Sequence, residues 1–309
     1  MISSIIRYEV KRRLSHWTTI LMVLALVFQG IWYTKGTFDY YVNEDLLMNA
    51  PAIFYKNLAG GGILMIIIVA IITGGVLYKD IEYKTSQWVY TLPINEKRFF
   101  LGRFLSAYII NVIIALGYVI GMLLVPYAGI GEAHRFGPAP ILQLLQGFLI
   151  LLMPNLLLLT SVIFALIIAS KRMAAGYLGV LVTTVLFLVM QTVSETSGAT
   201  PLIQLADPFG YVATENLLDT LSSAEKNTGF LPTTGYWFVN RLLWFGISVI
   251  LFFLALNQFS FKRFASNKAS KKVQVTQAPK TEVLVQVEAK QVPTTFSARI
   301  YLKKLWSLS

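Results

Sequence analysis

Two uncharged runs, Asn57–Tyr78 and Phe104–Tyr127, set the strongest limit on what this chain can fold into. Each exceeds the roughly 20 apolar residues that a helix needs to cross a bilayer. Between them lies Asp80–Arg103, reading DIEYKTSQWVYTLPINEKRFFLGR. With Lys79 it carries five basic and three acidic residues, so it belongs in water or at the interface. Ile81, Trp88, Val89 and Leu92 fall roughly on one helical face. Pro93 then ends that helix, and Asn95 is placed to cap a second one running into the next span. The pattern predicts two short helices held as a knob at the membrane surface, suited to docking. An ordinary loop with interfacial aromatics has the same residue content.

Only 13% of the residues are charged and the mean hydropathy is +0.64. A soluble domain carries about 25% charged residues, so this composition is that of a membrane chain. Cysteine is absent, which excludes disulfides, a thiolate metal site and a cysteine nucleophile together. His16 and His134 lie far apart and on opposite predicted sides, so no metal site is expected. The net charge of +11 follows membrane topology, and no nucleic-acid partner is expected.

Along the chain, Ile2, Ile5, Ile6, Val10, Leu14 and Trp17 mark one face of a helix whose remainder carries Arg7, Lys11, Arg12 and Arg13. A basic amphipathic helix of this kind lies in the headgroup plane. Six spans follow, at about 17–34, 59–78, 104–127, 142–170, 173–193 and 240–260. The amino-terminal segment, the 79–103 linker and the Lys171-Arg172 turn hold eleven basic residues. The other three loops hold five basic residues against nine acidic ones. The positive-inside rule therefore places both termini in the cytoplasm.

Lys171 and Arg172 alone separate the fourth and fifth spans, which must be antiparallel neighbours. Pro154-Asn155 predicts a kink in the fourth, either a flexible point on a translocation path or a packing kink satisfied by neighbouring helices. Gln29, Asn111, Pro154 and Asn155 are the candidate path residues. None of the spans carries a charge near its middle, which argues against an ion-coupled carrier. In the long 194–239 loop, Asp207-Pro208 predicts a helix start, with Asp as cap and Pro at the first position. Residues 262–295 read as a flexible linker. Phe296–Leu308, FSARIYLKKLWSL, reads as an amphipathic segment, either a tail or the entry helix of a second membrane half.

The linker resembles that of the ABC-2 family of export permeases. There an acidic residue, a Thr, an aliphatic run, a Pro and a basic-aromatic-Leu-Gly-Lys/Arg segment join spans two and three. The matching residues are Asp80, Thr85, Trp88 to Leu92, Pro93 and Leu101-Gly102-Arg103; Lys84 stands where the family often has Gly. The resemblance implies an all-α membrane protein of six spans, with an amino-terminal elbow helix and a cytoplasmic coupling helix, over residues 1–261. It also implies that Asp80, Thr85, Trp88, Pro93, Arg98 and Arg103 serve contact with an ATPase subunit. The outer-loop motif Asp207, Pro208, Phe209 and Gly210, followed by AEKNTGF and NRLLW, is similar to the permease part of bacterial proteins that fuse an ABC-2 membrane domain to a zinc aminopeptidase.

No GxxxxGK[ST] and no HExxH occurs in the sequence, so ATP binding and any peptidase chemistry are expected in other residues or subunits. The expectation is a non-enzymatic permease subunit with no cofactor of its own, multi-pass in the cytoplasmic (bacterial inner) membrane. Its partners would be an ABC ATPase, lipid, and a second permease half or a second copy. A membrane anchor for an associated peptidase and a secondary transporter are the alternatives.

Overall fold

The computed structural model describes residues 2–40, 45–83, 85, 93–131 and 133–261. Among them the chain forms helices and turns with no strand. In order they are α1 (Ile2–Leu14), α2 (Trp17–Tyr40), α3 (Pro51–Gly60), α4 (Ile63–Glu82), α5 (Glu96–Leu124), α6 (Ile141–Gly147), α7 (Met153–Ser170), α8 (Met173–Ser197), α9 (Pro201–Ala206), α10 (Tyr211–Asp219), α11 (Ser223–Thr228) and α12 (Tyr236–Gln258). A π-turn, Phe148–Leu152, joins α6 to α7 as one continuous rod. The expected linker and amphipathic segment beyond residue 261 lie outside the described residues, as does Trp88.

Among the described residues, five rods are long and apolar enough to cross a membrane: α2, α5, α6–α7, α8 and α12. The 59–78 segment departs from expectation. Its helix starts only at Ile63, and α3 precedes it at an angle of 46° across Gly61-Gly62. Both glycines adopt positive φ, +64° and +72°, a conformation costly for any residue with a Cβ, and the turn follows from them. Whether α3 and α4 count as one bent span or a re-entrant turn and a span, the helical membrane architecture stands.

α5 and α7 form the centre, while α2, α8 and α12 surround them and turn apolar side chains such as Leu24, Phe28, Leu181, Val185, Ile250 and Phe253 outward. An apolar exterior suits lipid and would be insoluble in water. α2 lies tightly along α5 because Gly117 and Gly121 lack side chains. A Cβ at Gly117 would stand 2.8 Å from the Val23 carbonyl oxygen. Between α5, α7 and α12, Phe100, Phe104, Phe164, Phe252 and Phe259 interlock, with ring centroids 4.6–5.8 Å apart for Phe104–Phe252 and Phe100–Phe252. The tight α7–α8 turn puts Lys171 in the left-handed region (φ +61°) and makes the two helices antiparallel neighbours, as the two-residue connection requires.

The loops sort to two ends. At one, the segments 45–62, 128–147 and 199–235 are stitched by side chains: Asn227 to Leu47 and Asp45, Asn49 to Gly137, and Gln146 to Tyr55 and Leu231. At the other, α1, both flanks of the 84–92 linker and Phe261 meet, the last through a bond from its N–H to Glu96. The sequence grouped these same segments by charge.

Candidate functional site

Site residues gather in two buried polar knots, one at each end. The first sits where α1 meets the ends of α4 and α5 that flank residues 84–92. Glu9 occupies the inward face of α1, at helical spacing from Ile2, Ile5 and Ile6. Its Oε1 accepts from Arg103 Nη1 at 2.6 Å and from Lys79 Nζ. Arg103 Nη2 pairs with Asp80, and Arg103 also lies over the Phe99 ring at 4.9 Å. All four charged residues are at most 7% exposed. A lone buried charge would be costly, so the group is held as a neutral lattice of two acids and two bases.

The lattice joins three helices. Lys79 and Asp80 end α4, Arg103 lies two turns into α5, and Glu9 belongs to α1. Around the linker, Thr85 donates its hydroxyl to the Asp80 carbonyl at 3.3 Å, closing the end of α4. Asn95 caps α5 as its position predicted, accepting from Arg98 N at 3.0 Å. Thr85, Pro93 and Arg98 are exposed. Five of the six residues expected to serve a partner contact are described, and they divide: Asp80 and Arg103 fix the base internally, whereas Thr85, Pro93 and Arg98 remain open to solvent.

The second knot lies at the opposite end, and here the expected helix start needs correcting. α10 begins at Tyr211 and not at Pro208. Asp207 to Gly210 form a turn, with Gly210 in the left-handed region at φ +68°. Asp207 still caps α10 from upstream: Oδ2 accepts from Val212 N at 2.8 Å and Oδ1 from Phe209 N at 2.9 Å. The side chain reaches the free N–H groups that any helix start presents, so the capping chemistry survives the shift of boundary. Burial pushes the Asp207 carboxyl up, against the opposing pull of those N–H groups and of Arg241.

Arg241 is 4% exposed and lies at the start of α12. It donates to Asn155 Oδ1 at 2.7 Å, to Asn240 Oδ1 at 3.0 Å through Nε, and to the Pro208 carbonyl at 3.3 Å. Asn155 in turn donates to the Ala59 and Phe209 carbonyls, and Asn240 to the Gln204 and Asp207 carbonyls. A Cβ at Gly210 would collide with the Arg241 guanidinium, which explains why the motif ends in Gly.

The four expected path residues do not converge on one channel. Asn155 holds the end of α3, Gln29 reaches the Gly62 turn from α2, and Pro154 follows the π-turn. Asn111 lies elsewhere, bonded to Thr73 and Thr160 where α4, α5 and α7 cross. None of the four lines a cavity of about 700 Å³ at the second end, which is bounded by Trp32, Tyr33, Lys56, Tyr211, Glu195 and Glu215. In its wall Lys56 pairs with Glu215 at 2.5 Å. Among the described residues no cluster of metal-ligating side chains occurs.

Glu9, Lys79, Lys56 and Arg241 were not singled out from sequence. For Glu9 a signal existed: one acidic residue on the apolar face of an otherwise basic helix. Comparison of the chain with family models, curated proteins and solved structures gives no match.

Proposed function

We propose that this chain is the permease subunit of an ATP-driven exporter of the ABC-2 type, working with a separate ATPase subunit and with a second copy or second membrane half. On this reading the α1 end faces the cytoplasm, where its excess of basic residues belongs. The observation that carries the reading is the lattice of Glu9, Lys79, Asp80 and Arg103. It fastens both flanks of the 84–92 linker to each other and to α1. A partner that pushes the linker therefore displaces α1, α4 and α5 as one body. A loop that only joined two spans would need no such buried ionic base, whose desolvation rarely adds stability. Thr85, Pro93 and Arg98 offer accessible contact positions beside it.

The test is isolation of the tagged chain from its native membrane in mild detergent, followed by reconstitution. A phosphate-loop ATPase subunit should co-purify, and Trp88→Ala should uncouple hydrolysis while insertion is retained. Coupled activity at unchanged ATPase yield in Trp88→Ala would overturn the assignment of the linker. A chain that purifies without any ATPase would overturn the exporter reading itself.

A further inference from the structure

The lattice around Glu9 is electrically closed, two acids against two bases. Arg12 and Arg13 stand outside that balance. Arg12 approaches Glu9 Oε2 only to 3.9 Å, and its side chain is 43% exposed. Arg13 makes no ion pair among the described residues, and its Nε is buried with no hydrogen-bond partner among them. Arg13 follows Glu9 by four residues, so it shares the inward face of α1. Both arginines border a cavity of about 210 Å³ enclosed by α1, α4 and α8. Lys79 and Glu9 border it too, but Glu9 already holds two cations through Oε1. The cavity therefore has two positive charges in excess.

Its walls are graded. Ile71, Gly75 and Lys79 succeed one another at four-residue spacing on α4, running from an apolar, outward-facing side chain to a charged one over roughly 12 Å of helix. Gly75 leaves the floor open: a Cβ there would come within 3.6 Å of the Arg13 guanidinium. Tyr177 of α8 closes the far side with a ring and a hydroxyl, an apolar body with a polar tip. Beyond the mouth, Ile67 and Leu181 continue the exposed apolar faces of α4 and α8. Burial and then the neighbouring Arg12 charge push Arg13 below the ordinary arginine range, against a smaller opposing pull from Tyr83 and Glu9.

We propose that this cavity is a phosphate-binding pocket that takes the headgroup of an anionic phospholipid from the leaflet at the α1 end. The phosphate sits between Arg12 and Arg13, whose planar forks match its oxygens. The acyl chains leave over Gly75 and Ile71 along α4 and α8. A free phosphate satisfies the same two arginines but leaves the apolar half of the cavity unfilled. The proposal does not rest on the exporter reading, since it needs only a bilayer around the helices.

The experiment is native mass spectrometry of the full chain in detergent, titrated separately with phosphatidylglycerol, phosphatidylcholine and inorganic phosphate. Phosphatidylglycerol should bind at one site and phosphatidylcholine should not. Arg12→Gln with Arg13→Gln should weaken that binding by roughly tenfold or more, the scale set by two basic residues against anionic lipid. Gly75→Leu keeps every charge but fills the floor, and it should also weaken binding. Arg7→Gln with Lys11→Gln removes the same charge from α1 away from the cavity, and it should leave the site intact. Equal loss in both double variants would mean diffuse attraction and overturn the pocket. Binding that survives Gly75→Leu unchanged would overturn it as well. Displacement of the lipid by inorganic phosphate at equal concentration would overturn the lipid as its source.

Discussion

The two polar knots bury similar charges by opposite means. At the α1 end, Glu9, Lys79, Asp80 and Arg103 neutralise one another directly, side chain to side chain. At the other end, Asp207 and Arg241 make no direct ion pair among the described residues, and each is surrounded by neutral dipoles: backbone N–H groups for the acid, two Asn amides and a carbonyl for the base. Side-chain ion pairs tie one helix to another. Backbone partners fix the path of the chain itself. The first knot therefore ties α1, α4 and α5 into one body, and the second holds the 207–210 turn in one shape.

The largest difference should appear on removing one base. Arg103→Met leaves Glu9 and Asp80 buried with too few partners, a loss of about 3–5 kcal/mol. The melting temperature in detergent should fall steeply, and Arg103→Lys should restore only part of it, because Lys cannot fork to two carboxylates. An unchanged melting temperature would break the claim that the lattice is closed and neutral.

At the second knot the sharpest probe is backbone shape. Gly210→Ala puts a Cβ in the left-handed region and against the Arg241 guanidinium. Strain and overpacking together should cost about 2–4 kcal/mol. Proteolysis within 199–235 should rise, while the α1 end keeps its protection. Loss of protection at both ends alike would mean that the knots are not separable.

A smaller effect distinguishes the knots by pH. Asp207 is raised by burial, so the folded state keeps its proton to higher pH than the unfolded chain does. Its contribution to stability is complete below the unfolded value of 3.8 and is lost as pH rises through the folded value. Asp207→Asn should therefore flatten the decline in melting temperature from about pH 4 upward. A steeper decline in the variant would reverse the sign and refute the assignment.

The smallest change is expected at the cavity wall. Lys56→Met breaks the pair with Glu215, whose side chain is 23% exposed. A partly solvated pair contributes about 1 kcal/mol or less, and less again at high salt. Salt-independent loss would show that Lys56 acts by packing.

Hydropathy and charge placed the helices well because both report solvent, and lipid is the most demanding solvent a chain meets. The same signals could not show the break at Gly61-Gly62, since apolar residues surround it on both sides and only the positive φ values reveal the turn. Asp207-Pro208 read as a helix start from local chemistry alone. The Arg241 guanidinium, brought from thirty-odd residues away, demanded Gly210 and moved the start to Tyr211. Glu9 was legible in principle from its spacing, but its partners come from two later helices that no local pattern connects to it.

The π-turn before Pro154 has a consequence for angular phase. Pro154 has no N–H to offer the Ile150 carbonyl, and Met153 N–H bonds instead to Phe148, five residues back. Nine residues of regular helix, at roughly 100° each, would set Gln146 and Asn155 on opposite sides of the rod. One residue absorbed in the wide turn reduces that to an effective eight, or roughly 80°. Both amides can then address α3, Gln146 at Tyr55 and Asn155 at Ala59. The turn works as a rotary joint set at assembly: deleting one residue from Phe148–Leu152 would leave a regular rod with its two amides still roughly 80° apart, whereas regular helix at the full length would aim one of them into lipid.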